Sequence, residues 1–358
     1  KIPSSGAFNP DDGIFIGGGF SYTNHGFRKA PFKSRHTVLA SYAANTSSYN
    51  FKYHGVFTDV IKSWDLEATT NLRFPNFTNF FFGLGNESVF DQDIDETTSV
   101  SNAINYYRLR FEEISYEVGF FRQLGAFAKL GITHDYFSWK LEDFSDDDRF
   151  VQEFVANTDP TLENTTFSYL GGGVRLDVDT RKNKFMPNTG IVWTNKINTL
   201  YGINDDSDDF HQFNTSFAFY HSFKLPARLT FASRIGYGMN FGNVNDDYPF
   251  FLSQTLGGRS NLRGYRITRF WGEQALYNNF ELRLKLFSVR TYLFPASVGI
   301  MGFHDVGRVW VDGEDSDTWH RGAGGGLWFA PFNAAVISAE IGASDEDTLF
   351  YFRFGFLF

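Results

Sequence analysis

The chain has 358 residues, 42% of them hydrophobic and 19% aromatic, with no Cys and a net charge of −9. No run approaches the roughly 18–20 apolar residues of a membrane helix, the acid surplus leaves no basic face for a nucleic acid, and the lack of cysteine removes disulfides and thiolate metal sites. With 44 Phe, 17 Tyr and 34 Gly against 10 Pro, the composition favours strands, and no linker divides it into the several cores a soluble protein of this length adopts.

Lys1-Ile2-Pro3-Ser4 opens a polar stretch and not a signal peptide, so residues 1–12 read as a short periplasmic segment behind a processed or trimmed end. From residue 13 to 358 the chain alternates apolar and polar residues in segments of about 9–12, the span of a tilted membrane strand. Strands are predicted near 13–22, 35–45, 49–60, 64–74, 78–88, 104–121, 126–141, 165–179, 189–202, 210–224, 229–242, 276–288, 297–311, 321–331, 335–343 and 348–358. In 64–74, Trp64, Leu66, Ala68, Leu72 and Phe74 oppose Asp65, Glu67, Asn71 and Arg73. In 277–286, Phe280, Leu282, Leu284 and Leu286 oppose Asn279, Glu281, Arg283 and Lys285. A bilayer enforces such sorting, because Arg or Lys on the lipid face at mid-membrane costs about 2–4 kcal/mol. The fold class is therefore all-β: a closed transmembrane antiparallel barrel of about sixteen strands, in contact with outer-membrane lipids.

Alternate connections are short: Asn45–Ser48, Pro75–Thr78, Arg122–Gly125, Leu225–Arg228 and Pro331–Ala334. The others are long and acidic, through Asp91–Glu96, Glu142–Asp148, Asp205–Asp209, Asp246–Asp247, Asp312–Asp317 and Asp345–Asp347. Short periplasmic turns and long extracellular loops are the anatomy of these barrels. Thr23–Ser34 departs from the pattern, being an outer connection with Arg28, Lys29 and Lys33. An Asp-rich loop offers the oxygen ligands that Ca²⁺ takes, but none has the spacing of an EF-hand, and a solvated charged loop is the favoured reading over a metal site. In the last strand Phe350, Phe352, Phe354, Phe356 and Phe358 alternate with Tyr351, Arg353, Gly355 and Leu357, giving an aromatic outer wall. Phe354, Phe356 and Phe358 resemble the carboxy-terminal signal by which outer-membrane proteins are recognised for insertion.

The longest outer connection, 243–275, holds Leu256-Gly257-Gly258-Arg259-Ser260-Asn261-Leu262-Arg263-Gly264-Tyr265. Gly302-Phe303-His304-Asp305-Val306-Gly307 follows on the thirteenth predicted strand, and Asp179-Thr180-Arg181 with Pro187 and Gly190 marks an earlier turn. These motifs resemble those of the superfamily of BamA, TamA, the two-partner secretion transporters and the organelle import barrels, also called the bacterial surface antigen family. That family carries an Arg-Gly-aromatic tripeptide in its sixth loop, between strands eleven and twelve, where the strand count places Arg263-Gly264-Tyr265. The resemblance implies that 243–275 folds into the lumen and that Arg263 meets Glu281 and Asp305, with Phe303 and Gly307 completing the strand-thirteen motif. A planar guanidinium satisfies two carboxylates in fork geometry, which Lys does not match. Family members usually carry periplasmic POTRA domains ahead of the barrel. The dozen residues before the first predicted strand are too few for one, so the chain is read as a barrel domain from which they were removed or a POTRA-less branch.

Catalysis is not expected. His304 and Asp305 are strand neighbours pointing to opposite faces and form no dyad. No nucleophile elbow occurs, and the glycine runs 17–19, 171–173 and 324–326 lie inside strands, where they relieve crowding and cradle no phosphate. No cofactor is implied. The resemblance implies a barrel that inserts or translocates proteins at the outer membrane of a Gram-negative bacterium, with client polypeptides and periplasmic or lipoprotein partners. Its seam lies between the first and last strands, flanked by Gly17, Gly18, Gly19 and Gly355. The alternative is a non-translocating anchor, a structural homo-oligomer or a passive channel. A diffusion porin conflicts with a loop held in the lumen, and a TonB-dependent transporter needs about 22 strands.

Overall fold

A computed structural model describes residues 4–9, 13–43, 47–94, 103–142, 149–158, 160–162, 165–224, 227–241, 249–290, 294–333 and 335–358. Eleven strands come first: β1 (Ser4–Asn9), β2 (Gly13–Asn24), β3 (Ser34–Ala43), β4 (Ser48–Ile61), β5 (Trp64–Phe80), β6 (Arg108–Leu124), β7 (Ala128–Leu141), β8 (Thr166–Asp179), β9 (Gly190–Gly202), β10 (Phe210–Lys224) and β11 (Arg228–Phe241). Then come β12 (Gln254–Leu256), β13 (Phe270–Gly272), β14 (Gln274–Arg290), β15 (Pro295–Trp310), β16 (His320–Pro331), β17 (Ile337–Ala343) and β18 (Thr348–Phe354). Short helices α1 (Ala103–Tyr106) and α2 (Phe150–Thr158) lie in connections. Sixteen strands form one antiparallel sheet in chain order, and β12 and β13 pair separately.

The period-two pattern explains the wall. On β14, Glu281 and Arg283 are buried inside, whereas Leu282 and Leu286 are 40% and 44% exposed on the outer face. The same sorting leaves Ile235, Ile300, Leu327, Phe350 and Phe352 facing outward.

The count of sixteen agrees with expectation through two differences that cancel. Residues 4–9, read as a segment ahead of the barrel, are a strand paired with β2 from Ser4↔Gly18 to Asn9↔Gly13. Residues 78–88 are not a separate strand. The ladder slips between Arg73 and Phe77 and then resumes to Phe80, so the expected turn at Pro75–Thr78 is an irregularity inside β5. Proline lacks the ladder donor there, and Asn76 takes a positive φ of 59°. From β6 onward the two counts coincide.

This shift also corrects the loop assignment. The β3–β4 connection, where the expected turn Asn45–Ser48 lies partly outside the described residues, is at the end of the long connections, and the basic segment between β2 and β3 belongs to the short-turn end. The six acidic connections all leave from the opposite end.

The long-loop end is closed by an apolar cap. Val151 and Val155 of α2, Phe250 and Leu252 of a 3-10 turn, Phe81 and Trp271 pack onto wall residues such as Trp139 and Tyr169. Trp139 stacks on Phe251 with ring centroids 4.0 Å apart. Beneath the cap, cavities of about 480 Å³ and 320 Å³ share Lys196 in their linings.

Two features mark the sheet edges. No ladder joins β1 to β18 among the described residues, although their Cα atoms approach within 8 Å. And the chain does not continue as outer wall to Phe358. Gly355, with φ of 120°, ends the alternation and donates to the Val336 carbonyl at 2.8 Å. Phe354 stays outside, but the Phe356 ring lies 3.9 Å from the Arg283 guanidinium. Phe358 reaches the inner face of β10 and β11 at Ala218, Tyr220 and Ala232.

Replacing Leu282 by Arg is expected to destabilise the barrel by about 2–4 kcal/mol, while Ser216→Arg, whose side chain enters the 480 Å³ cavity, leaves the midpoint close to wild type. Urea unfolding from phospholipid vesicles, followed by Trp fluorescence, checks both.

Candidate functional site: a lumenal clasp

The connection from β11 to β14 turns back into the lumen. Its β12–β13 ribbon pairs Gln254 with Gly272 and Leu256 with Phe270. Leu256, Leu262, Tyr265 and Phe270 then bury against Ala275 and Val309 of the wall. Inside the ribbon the Gly258 amide donates to the Tyr265 carbonyl at 3.0 Å, and the Gly257 amide donates to the Asn261 side chain at 2.9 Å. Asn279 of β14 donates to the Asn261 carbonyl at 2.7 Å, which ties the turn to the wall.

That turn delivers Arg263 to the inner surface, where its side chain is fully buried. Nε and Nη2 donate to the two oxygens of Asp305 on β15 at 2.7 and 2.9 Å. Nη1 donates to Glu281 on β14 at 2.7 Å and to Glu340 on β17 at 2.9 Å. The Arg263 amide also donates to Asp305, at 3.1 Å. Phe303 lies under the guanidinium, its centroid 3.5 Å away. The structure thus brings together Arg263, Glu281, Asp305 and Phe303, and adds Glu340.

Removing so many charges from water is costly unless each is paired and hydrogen-bonded. The balance is met by two further arginines. Arg283 Nη2 lies 2.6 Å from Glu281, and Arg353 Nε lies 3.0 Å from Glu340. Three guanidiniums face three carboxylates, so the cluster carries no net charge.

The neighbours of Arg263 engage the last hairpin. Gly264 has φ of 98°, and a β-carbon there would stand 2.8 Å from the Ala343 carbonyl carbon and 3.0 Å from the Ser344 nitrogen. Glycine is therefore required for both conformation and close approach. The Gly264 amide donates to the Tyr351 hydroxyl at 2.9 Å, and Ser344 donates to its carbonyl at 2.9 Å. Tyr265 donates to Asp345 at 2.5 Å, Arg266 to Asp347 at 2.8 Å and Arg269 to Glu346 at 2.8 Å. Burial pushes the Glu346 carboxyl up against the opposing pull of Arg269, and burial with the Asp345 contact pushes the Tyr265 phenol up.

Gly307 makes room for the ribbon, since a β-carbon there would meet Leu256 at 2.9 Å. The earlier motif forms a compact turn: Arg181 forks onto Asp179 at 3.0 and 3.1 Å, and the Ile191 amide donates to the Thr180 hydroxyl at 2.9 Å. Gly17, Gly18 and Gly19 do not flank the open edge. They lie in β2, laddered to β1 on one side and β3 on the other, because β1 is the outermost strand. Gly355 lies just past β18, where it redirects the tail. Of the three terminal aromatics, only Phe354 keeps its expected outward position.

Glu340, Arg283 and Arg353 complete the site, and the sequence reading gave them no part in it. Strand parity carried the signal for Glu340. Ser338, Glu340 and Gly342 share the inner face, opposite Ile337 and Ile341, and one acid on an inward face of small residues needs a buried cation. Among the described residues no group of three His, Cys, Asp or Glu is arranged to hold a metal ion.

The fold and clasp define a transmembrane β-barrel with a lumen-anchored sixth loop. The sequence profile of the Omp85 superfamily domain matches residues 16–356, and the chain belongs to that superfamily. Among solved structures it is similar to BamA from Haemophilus ducreyi lacking POTRA domains 1–3, with a TM-score of 0.67 and 12% identity over 99% of this chain and 68% of that one. CdiB from Escherichia coli aligns with a TM-score of 0.60 and 14% identity over 99% of this chain and 61% of that one. CdiB from Acinetobacter baumannii gives 0.55 and 13% over 98% and 58%. This chain thus spans roughly three-fifths to two-thirds of these neighbours, and at such identities the likeness is one of fold. Comparison with curated proteins returns no match.

Arg263→Ala is expected to cost about 3–5 kcal/mol by leaving buried carboxylates unpaired, and Arg263→Lys to recover only part of that loss. In a double-mutant cycle with Glu340→Gln the changes should be non-additive, read from unfolding midpoints in vesicles. Additive changes would show that Glu340 and Arg263 do not interact.

Proposed function

We propose that the chain is an outer-membrane barrel that inserts polypeptides into the membrane or passes them across it, using the edges of β1 and β18 as the place of client contact. The observation that carries this reading is that, among the described residues, no ladder joins two short strands, Ser4–Asn9 and Thr348–Phe354, at the ends of an otherwise continuous sheet. An unpaired edge in hydrocarbon is costly, and a client strand supplying its own donors and acceptors offsets that cost. Family membership supports the same reading by analogy of fold, which does not by itself fix a function.

The clasp fits this role as a brace. It fixes the hairpin β17–β18 through Glu340, Tyr351 and the 344–347 turn, so the last strand stays registered to the loop. The alternative of an open passive channel is disfavoured by the apolar cap, with Phe81, Phe250 and Trp271 packed across the long-loop end. In this orientation the cap faces outside and the short turns face the periplasm, where capture partners and clients arrive.

The chain has no native cysteine, so an engineered disulfide reports cleanly. One cysteine in Ser4–Asn9 and one in Thr348–Phe354, chosen at facing positions, is expected to abolish insertion of an unfolded barrel client into proteoliposomes when oxidised and to restore it on reduction. Full activity with the edges locked would sink the proposal.

A further inference from the structure

The two ends of the sheet carry opposite charge. The long-loop end bears the acidic connections, whereas at the other end an exposed apolar side chain and a cation stand in or beside the turn of five successive hairpins. Between β2 and β3 these are Phe27, 87% exposed, and Arg28, whose guanidinium lies 5.0 Å from the ring centroid. Between β4 and β5 they are Ile61 and Lys62, and between β6 and β7 they are Phe127 and Arg122. The β8–β9 turn offers Phe185 and Lys182, and the end of β10 Phe223 and Lys224. All ten side chains are exposed. The acid of the β8–β9 turn, Asp179, is occupied by Arg181 and Lys184, so it does not neutralise Lys182.

A ring at the hydrocarbon boundary beside a cation on a flexible stem is the arrangement of an interfacial anchor. The ring settles at headgroup level, and the stem lets the charge reach a phosphate. The pairs run from turn to turn along the rim, Lys224 alone sharing the inner-face parity of Ala218 and Tyr220, so they favour a lipid surface over an acidic polypeptide docked at one place. We infer that this rim binds the headgroups of anionic phospholipids in preference to zwitterionic ones.

The test uses the full chain in detergent, incubated with equal amounts of phosphatidylglycerol and phosphatidylcholine. After gel filtration, retained lipid is extracted and quantified by mass spectrometry. At low salt about fivefold more phosphatidylglycerol should be retained, the gain for roughly one cation meeting an anionic surface. That preference should vanish in about 1 M salt, where the Debye length is about 3 Å, and in the variant combining Arg28→Gln, Lys62→Gln, Arg122→Gln, Lys182→Gln and Lys224→Gln. Heat-modifiable mobility verifies that the variant is folded. Equal retention by the unmodified chain, or a preference that survives in the folded variant, overturns the inference. If the variant does not fold, the salt series on the unmodified chain decides, and a preference persisting in about 1 M salt overturns it. Poly-glutamate binding to the unmodified chain with equal lipid retention would assign the rim to an acidic polypeptide and overturn the lipid reading.

Discussion

One charge organises the interior. Arg263 is carried to the inner wall by a loop and is buried there among Asp305, Glu281 and Glu340, from three different strands. A buried guanidinium tolerates only an environment that satisfies its donors, so the loop path, the strand registers and the choice of glycine at 264 are bound together. The paired arginines 283 and 353 restore neutrality from the outer ring of the cluster. Moving any one of these strands by a single residue would turn its carboxylate to the lipid face.

Because that interaction is a convergence, its parts were unequally legible. Arg263 and Asp305 stand in recognisable motifs, and Glu281 follows from the alternation on β14. Glu340 lies in no motif, and its inward position became meaningful only once β17 was placed beside the loop. The contacts of Tyr265, Arg266 and Arg269 with the 344–347 turn are between segments about 80 residues apart, and sequence spacing says nothing about such pairs. Parity along a strand is a local property, whereas pairing across the lumen is set by the order and register of the whole sheet.

The strand reading shows the same limit. Alternation placed β14 and the outward half of β18 well, because a bilayer penalises each misplaced charge. It divided β5 at Pro75 because a proline among polar residues looks like a turn, yet the ladder accommodates it with a slip. It passed over β1, since a six-residue strand offers little pattern. At the other terminus a single glycine with positive φ reverses the facing of Phe356 and Phe358, which no alternation rule anticipates. The family assignment was less sensitive, because the motifs lie after β6, where the miscounts had already cancelled.

The short edge strands bear on the surrounding bilayer. At about 3.4 Å per residue and a tilt near 40°, the seven residues of β18 rise only about 18 Å, and the six of β1 about 16 Å. The apolar band of such barrels is about 25 Å tall. The described stretches of β1 and β18 therefore span less of that band than β14, with seventeen residues. A wall of uneven height is the kind of mismatch to which a bilayer responds by changing its thickness locally.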